Sequence, residues 1–364
     1  MQSGTGQSKD SLIDEFLSQE ITFKDMGLSI HALLSSLLRK RGIESHSISY
    51  RVKDKTSLSK KIDKKNKYTS LRDITDILGF RIVTFYSTDI DEIEKLIREE
   101  FEVDKENSID KRKSIEPDRF GYMSLHYIVS LKEGRTNLPE YEGFKNFKFE
   151  VQIRTILQHG WAEIEHKLGY KSSNSMPDEI RRSFSILSGT LELVDKEFIN
   201  IKNQIINYDE VTRQNIKKNK TNNTSINERS LAIFIEVDRL LNEVYESYVE
   251  KAKGINFSTR EPLPNASFGE HYKDNVSDLK LLGFKTLHDI NSAIKELDVH
   301  KTLSVILKYQ EKVDNCNIYY ADIFLVFLIY ISYLLQHGDI KPIQDTNPEY
   351  NDFVEDLKAL IQDC

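Results

Sequence analysis

Cysteine is almost absent from this chain: its 364 residues hold two, Cys316 and Cys364. Two cysteines so far apart exclude a disulfide framework and a cysteine-built zinc cluster, and they fit a reducing, cytoplasmic setting. The first residues carry no apolar core of the signal-peptide kind. No uninterrupted apolar run reaches membrane length either. Ile318 to Leu335 (IYYADIFLVFLIYISYLL) comes nearest, but Asp322 and four tyrosines interrupt it and no Lys/Arg cluster flanks it closely. Its length and polarity predict a buried core helix, so no membrane partner is expected. Internal repeats are also missing. What remains is a charge-rich chain of net charge −7 with ordinary aromatic content. That composition predicts a soluble globular protein, and the length favours two domains over one.

The acidic balance hides a basic segment. Arg51 to Arg72 reads RVKDKTSLSKKIDKKNKYTSLR. A charge run is usually a solvated helix face. Clustered cations also concentrate anionic ligands, so a polyphosphate cradle is the functional alternative. The stretch Glu150 to Lys171, EVQIRTILQHGWAEIEHKLGYK, is more informative. Glu150, Gln152 and Arg154 alternate with Val151 and Ile153, which puts three polar groups on one face of a strand and the aliphatics behind. Thr155 is placed to cap the helix that follows. A carboxylate, an amide and a guanidinium in a row suit phosphate, metal and hydroxyl chemistry and are poor core filling.

Periodicity predicts helices over Leu12 to Leu17 and Met26 to Arg41, a strand over His46 to Val52, and a helix from Ser57 to Lys65. A short helix over Leu71 to Leu78 is expected to stop at Gly79. Phe80 to Tyr86, Tyr122 to Leu131 and Lys148 to Ile153 read as strands, with a helix at Asp91 to Glu100. Helix following strand several times predicts an α/β or α+β sheet covered by helices. Beyond Pro177 the chain turns helical: Asp178 to Tyr208, then the polar stretch Lys217 to Glu228, then Arg229 to Lys253. Phe257 to Asn275 reads as a loop, and the remainder is helical.

The strand faces supply a constellation. Arg51 and Lys53 face one way; Asp76 precedes Gly79, with Arg81 on the next strand. Tyr122, Ser124 and His126 share a face, opposite Leu125, Tyr127 and Val129. With Glu150, Gln152 and Arg154 they form a pocket if the strands are neighbours. Two carboxylates on different elements can share Mg²⁺, or one can hold metal while the other takes a proton. Guanidinium planes and Tyr122 offer surfaces for stacking on a base. Each residue alone has a duller reading. Asp76 as a helix-end pair, His126 as a core histidine, Trp161 as core, and Arg154 with Glu163 as an exposed pair are each commoner outcomes. Joint occurrence on alternating faces favours a site.

In this order, RVK…S…KK, DILGFRI, FGYMSLHY, EVQIRT and WAEIEHKLGYK resemble the synthetase domain of the RelA/SpoT alarmone enzymes, over about Leu33 to Lys171. The resemblance implies a mixed sheet flanked by helices, related to the nucleotidyltransferase fold. It implies transfer of the β,γ-pyrophosphate of ATP to the 3′-hydroxyl of GDP or GTP, making (p)ppGpp and releasing AMP, with Mg²⁺ as cofactor. By motif, Arg51 and Arg81 would sandwich adenine. Lys53 and Lys61 would contact the triphosphate, with Ser57 beside them. Asp76 would hold Mg²⁺, and Glu150 would position or deprotonate the hydroxyl and share the metal. Tyr122 would stack on the acceptor base, with Ser124, His126, Gln152 and Arg154 on the acceptor side.

One segment departs from the family pattern. Guanosine-accepting members carry a lysine-rich approach often ending Pro-Asn-Gly-Tyr; here it is KRKSIEPDRFGY, with Lys111, Arg112 and Lys113 further back and Glu116 and Asp118 near the tyrosine. Adenosine nucleotides and the tRNA 3′ end, which toxin-type relatives use, therefore stay open as acceptors. So does a nucleotide-binding regulator without chemistry, although keeping both Asp76 and Glu150 favours an enzyme. About fifty residues precede the Arg51 strand, fewer than a separate domain needs, so no hydrolase half is expected. His288-Asp289 reads as incidental. The expected organisation is a synthetase domain at 1–216, a linker at 217–228, and a helical region at 229–364 that regulates, or stabilises and dimerises, the enzyme.

Overall fold

A computed structural model describes residues 9–65, 67–110, 124–168, 177–252, 272–312 and 321–362. The chain divides into two compact units, Met1–Lys202 and Asn203–Cys364.

The first unit is built on a five-stranded mixed sheet. Its strands are β1 (Ser45–Val52), β2 (Leu78–Thr84), β3 (Phe101–Asp110), β4 (Leu125–Leu131) and β5 (Phe149–Thr155), in the order β1-β2-β5-β4-β3. Only β2 and β5 run parallel; the other pairs are antiparallel. One face is apolar: Phe80 and Ile82 of β2, Leu125, Tyr127 and Val129 of β4, and Phe149, Val151 and Ile153 of β5 are buried there. Helices α1 (Lys9–Lys40), α2 (Lys55–Lys65) and α3 (Ser87–Glu100) contribute to the same core through Phe16, Met26, Ile30, Leu58, Ile62, Ile90 and Ile93. The expected helices over Leu12 to Leu17 and Met26 to Arg41 are one continuous helix. Gly27 is required within it, because a Cβ there would lie 2.4 Å from the Tyr50 ring.

The expected helix over Leu71 to Leu78 does not form. Ser70 and Asp73 cap each other in a capping box, and Asp73 also accepts from the backbone of Thr69. That capture of local amides limits the helix to a single 3₁₀ turn, Leu71–Asp73. Leu78 and Gly79 then belong to β2, so Gly79 ends no helix. The remaining short helices α4 (Glu133–Thr136) and α5 (Pro139–Glu142) precede β5, and α6 (Ile156–Lys167) follows it directly. The long helix α7 (Asp178–Lys217) carries residues of both units.

The second unit has its own core. Its helices are α8 (Glu228–Val237), α9 (Arg239–Ala252), α10 (Lys273–Leu281), α11 (Leu287–Lys295), α12 (Val299–Lys312), α13 (Ala321–His337), α14 (Lys341–Thr346) and α15 (Asn351–Gln362). The expected single helix over Arg229 to Lys253 breaks at Asp238. There the backbone is extended, and the side chain accepts from Leu241 N and Asn291 Nδ2, both at 2.9 Å. The polar stretch after α7 is packed: Thr221, Thr224 and Ile226 are buried, and Ile226 N donates to Lys285 O. The apolar run is the central helix α13, burying Phe324, Leu328, Ile329 and Ile331. Among the described residues no helix is long and apolar enough to cross a membrane. Asp289 caps α11 by accepting from Thr286 N and Lys285 N, a structural role.

Candidate active site

Register places the site. Ser49 pairs with Arg81, and Arg51 with Gly79. Gly79 pairs with Glu150, Arg81 with Gln152, and Val83 with Arg154. His126 pairs with Gln152. Because alternate residues share a face, Arg51, Gly79, Arg81, Glu150, Gln152 and His126 lie on the face opposite the core. All of these but His126, which contacts Glu150 from β4, line a cavity of about 290 Å³ together with Lys53, Asp76 and Glu163 among others. Gly79 lies on its floor, and a Cβ there would be 3.9 Å from Glu150 Oε2. A long side chain at this position would crowd that carboxylate.

Asp76 sits in the turn before β2, between two lysines. Lys53 Nζ lies 3.1 Å from Oδ2 and Lys61 Nζ 2.6 Å from Oδ1. Burial alone would raise the Asp76 pKa; Lys61 and Lys53 outweigh it and hold the carboxyl below its usual value. Ser57 is exposed and does not line the cavity. It belongs to the start of α2, where its backbone N and Oγ both donate to Asp54.

Glu150 is fixed by a row of hydrogen bonds along the sheet. Its Oε1 is 2.8 Å from His126 Nδ1, and Oε2 accepts from Gln152 Nε2 at 2.9 Å. Burial would raise this carboxyl, but His126 and then Gln152 hold it lower than usual. An ionised carboxylate only accepts, so Nδ1 carries the proton. In a neutral ring Nε2 then accepts from Ser124 Oγ at 2.7 Å. Arg154 is buried and donates to Gln152 Oε1 at 2.8 Å, which orients the amide toward Glu150. Tyr122 lies outside the described residues, as do Lys111, Arg112, Lys113, Glu116 and Asp118.

Helix α6 completes the wall. Thr155 caps it by accepting from Gln158 N, and its own hydroxyl donates to the buried Asp195 of α7 at 2.9 Å. Glu163 of this helix pairs with Arg81, Oε1 to Nη1 at 3.0 Å, and not with Arg154. No local spacing in the sequence signals that contact; it follows from β2 lying beside β5 in parallel, which brings α6 over Arg81. Trp161 is core, packed edge-on against Phe184. Three cations (Arg51, Lys53 and Arg81) and three carboxylates (Asp76, Glu150 and Glu163) meeting over a sheet can bind a polyphosphate and a hard divalent ion, and can accept a hydroxyl proton.

A family model described as a region found in RelA / SpoT proteins matches residues 50–175, the segment that carries this face. The GTP pyrophosphokinase YjbM of Bacillus subtilis is 30% identical over 159 residues, covering 43% of this chain and 71% of that protein. The chain belongs to the RelA/SpoT family. A second relative, the GTP pyrophosphokinase YwaC of Bacillus subtilis, is 30% identical over 132 residues, 36% of this chain; the match spans 60% of the relative's length, under two thirds. Crystal structures of the small alarmone synthetases 2 and 1 from Bacillus subtilis, the latter bound to its product pppGpp, are 25% and 22% identical. They cover 52% and 53% of this chain and 99% of each of those chains, with TM-scores of 0.44 and 0.45. The family match stops short of Asn203–Cys364.

Proposed function

We propose that the protein is an ATP-dependent GTP/GDP pyrophosphokinase of the cytosol. The observation that carries this reading is the pairing of two carboxylates, Asp76 and Glu150, both held below their usual pKa, in one cavity with Arg51, Lys53 and Arg81. In the reaction, the 3′-oxygen of the acceptor bonds to the β-phosphorus of ATP. The bond from that phosphorus to the bridging oxygen of AMP breaks, and the hydroxyl proton passes to Glu150. Such transfer needs positioning and charge neutralisation more than covalent catalysis.

The residues present fit Mg²⁺. Asp76 and Glu150 offer hard anionic oxygens, and Mg²⁺ is usually held by one or two carboxylates together with substrate phosphates. When bound, the ion supplies charge neutralisation on the triphosphate. Among the described residues no cluster of three or more acids, histidines or cysteines would hold a metal by itself, in keeping with a site completed by nucleotide. Lys53 and Lys61, which hold Asp76 in the free protein, are the cations a triphosphate would draw upon. Arg51 and Arg81 would flank adenine, with Arg81 exchanging Glu163 for the base. Gln152 and His126 keep Glu150 turned toward the acceptor, and Arg154 and Ser124 orient them in turn.

The test is a transfer assay with β-labelled ATP and Mg²⁺. GDP, GTP, AMP, ADP and deacylated tRNA are offered separately and read by thin-layer and gel separation. Label on a guanosine nucleotide is the expected result. Label only on an adenosine nucleotide or tRNA would reassign the acceptor, and absence of AMP release with every acceptor would overturn the enzyme reading.

A further inference from the structure

A second cavity, of about 320 Å³, lies within Asn203–Cys364 and is lined by Asp278 of α10, Tyr309 of α12, Phe327 and Tyr330 of α13, Tyr350, and Phe353 of α15. The rings gather around Phe353, with centroids 5.5 Å from Tyr309, 5.2 Å from Phe327, 6.0 Å from Tyr330 and 6.4 Å from Tyr350. Into this aromatic wall is set one acid. Asp278 is 5% exposed; it accepts from the Tyr330 hydroxyl at Oδ2 and from Asn347 Nδ2 at Oδ1, the latter at 3.4 Å. Among the described residues no lysine or arginine pairs with it, and the charge acting on it is that of another acid, Asp274.

A Tyr–Asp hydrogen bond tying α10 to α13 would explain the acid alone. It does not explain why the acid faces an open cavity walled by rings. A buried carboxylate without a counter-charge is costly, and an arriving cation relieves that cost. Ring faces attract the same kind of ligand through their quadrupoles. The volume lies at the lower end of small-molecule sites. We propose that this cavity binds a small organic cation, an aromatic or aliphatic body bearing an ammonium or amidinium group, with Asp278 as counter-charge and the rings as walls.

The experiment uses the full chain, with phenethylammonium and its neutral analogue 2-phenylethanol as probes, followed by calorimetric titration and saturation-transfer NMR. The ammonium is expected to bind at least tenfold more tightly than the alcohol. Asp278→Asn should remove that preference while leaving alcohol binding unchanged, and Phe353→Leu, at a half-buried position, should weaken both. Equal affinity for the two probes, no binding of the ammonium at millimolar concentration, or an undiminished preference in a folded Asp278→Asn would each overturn the proposal. Should Asp278→Asn fail to fold by circular dichroism, the wild-type preference together with Phe353→Leu decides. Binding is read directly, so the outcome is independent of whether pyrophosphate transfer is found.

Discussion

Asp76 and Glu150 are held ionised by different means. Lys53 and Lys61 flank Asp76 from β1's end and from α2; His126 and Gln152 flank Glu150 from within the sheet. Asp76→Asn or Glu150→Gln is expected to lower turnover by roughly 10²–10⁴-fold, the usual range for a lost acid–base or charge-positioning group. Circular dichroism should be unchanged in both; near-normal turnover in either would remove that residue from the chemistry. The depressed pKa values also carry a stability consequence. A carboxyl whose folded pKa lies below its unfolded value contributes stability above the unfolded value, and loses it as pH falls through the folded one. The melting-temperature deficit of Glu150→Gln should therefore be present at neutral pH and fade once pH drops below the ordinary glutamate range near ~4.3. A deficit that persisted unchanged at pH 3 would contradict the His126–Glu150 assignment. The alternation of EVQIR announced the Glu150 row, because a strand with period two leaves little freedom in which residues share a face. Ser57 was not legible in the same way. Its position beside the lysines is real, but Asp54 engages it on the exposed start of α2. The Glu163–Arg81 pair spans 82 residues, beyond anything local spacing can express.

Between elements, two contacts decide how the site's walls are held. Gly27 lets Tyr50 of β1 press onto α1, where the ring also meets Phe80 and His31. Alanine is the better helix former by about 1 kcal/mol. Overpacking typically costs ~1–3 kcal/mol, so Gly27→Ala should lower stability despite that propensity. Adding Tyr50→Leu should recover most of the loss in a thermal double-mutant cycle; no recovery would place the strain elsewhere. The second contact is Asp195 of α7 accepting from Thr155, the cap of α6. Burial raises the Asp195 pKa, and the Thr155 hydrogen bond only partly opposes it. Its ionisation therefore weighs against folding as pH rises through the folded pKa. Asp195→Asn, which can still accept from Thr155, should melt at or above wild type at pH 7, and the difference should shrink in acid. Asp195→Ala leaves the hydroxyl without that acceptor and should cost about 1–2 kcal/mol. Strand and helix identities here followed from pattern where the pattern was strong, as in FRIVTFY. They failed at Leu71 to Leu78, where Ser70 and Asp73 capture the local amides. Edge strand β3 was missed because FEVDKENSID carries too much charge to alternate, and it bulges between Asp104 and Ile109.

For the molecule as a whole, the two units carry separate cores, one around the sheet and one around α13. The apolar sequence of α13 predicted burial but not what covers it, since the helices around it are individually short and ordinary in composition. The stretch 217–228 looked like a linker by composition, yet its three buried residues and the bridge between Ser225 and Thr286 belong to the second core. Polar side chains do not by themselves make a segment loose when its backbone groups find partners. Phe324 tests the separation of the cores. It is fully buried and stacks on Tyr248 with centroids 4.8 Å apart. Phe324→Ala should cost about 3–5 kcal/mol in the second core through lost burial and the cavity left behind. Native-state hydrogen exchange, which resolves cooperative units, should show faster exchange across α8 to α15. Amides of β2, β4 and β5, whose packing uses none of those residues, should exchange at wild-type rates. Transfer activity, if it resides on that sheet as proposed, should survive in the same variant. Acceleration spreading uniformly through both cores would instead mean that the chain folds as one cooperative body, and the helical unit would then have to be counted among the elements that hold Asp76 and Glu150 in place.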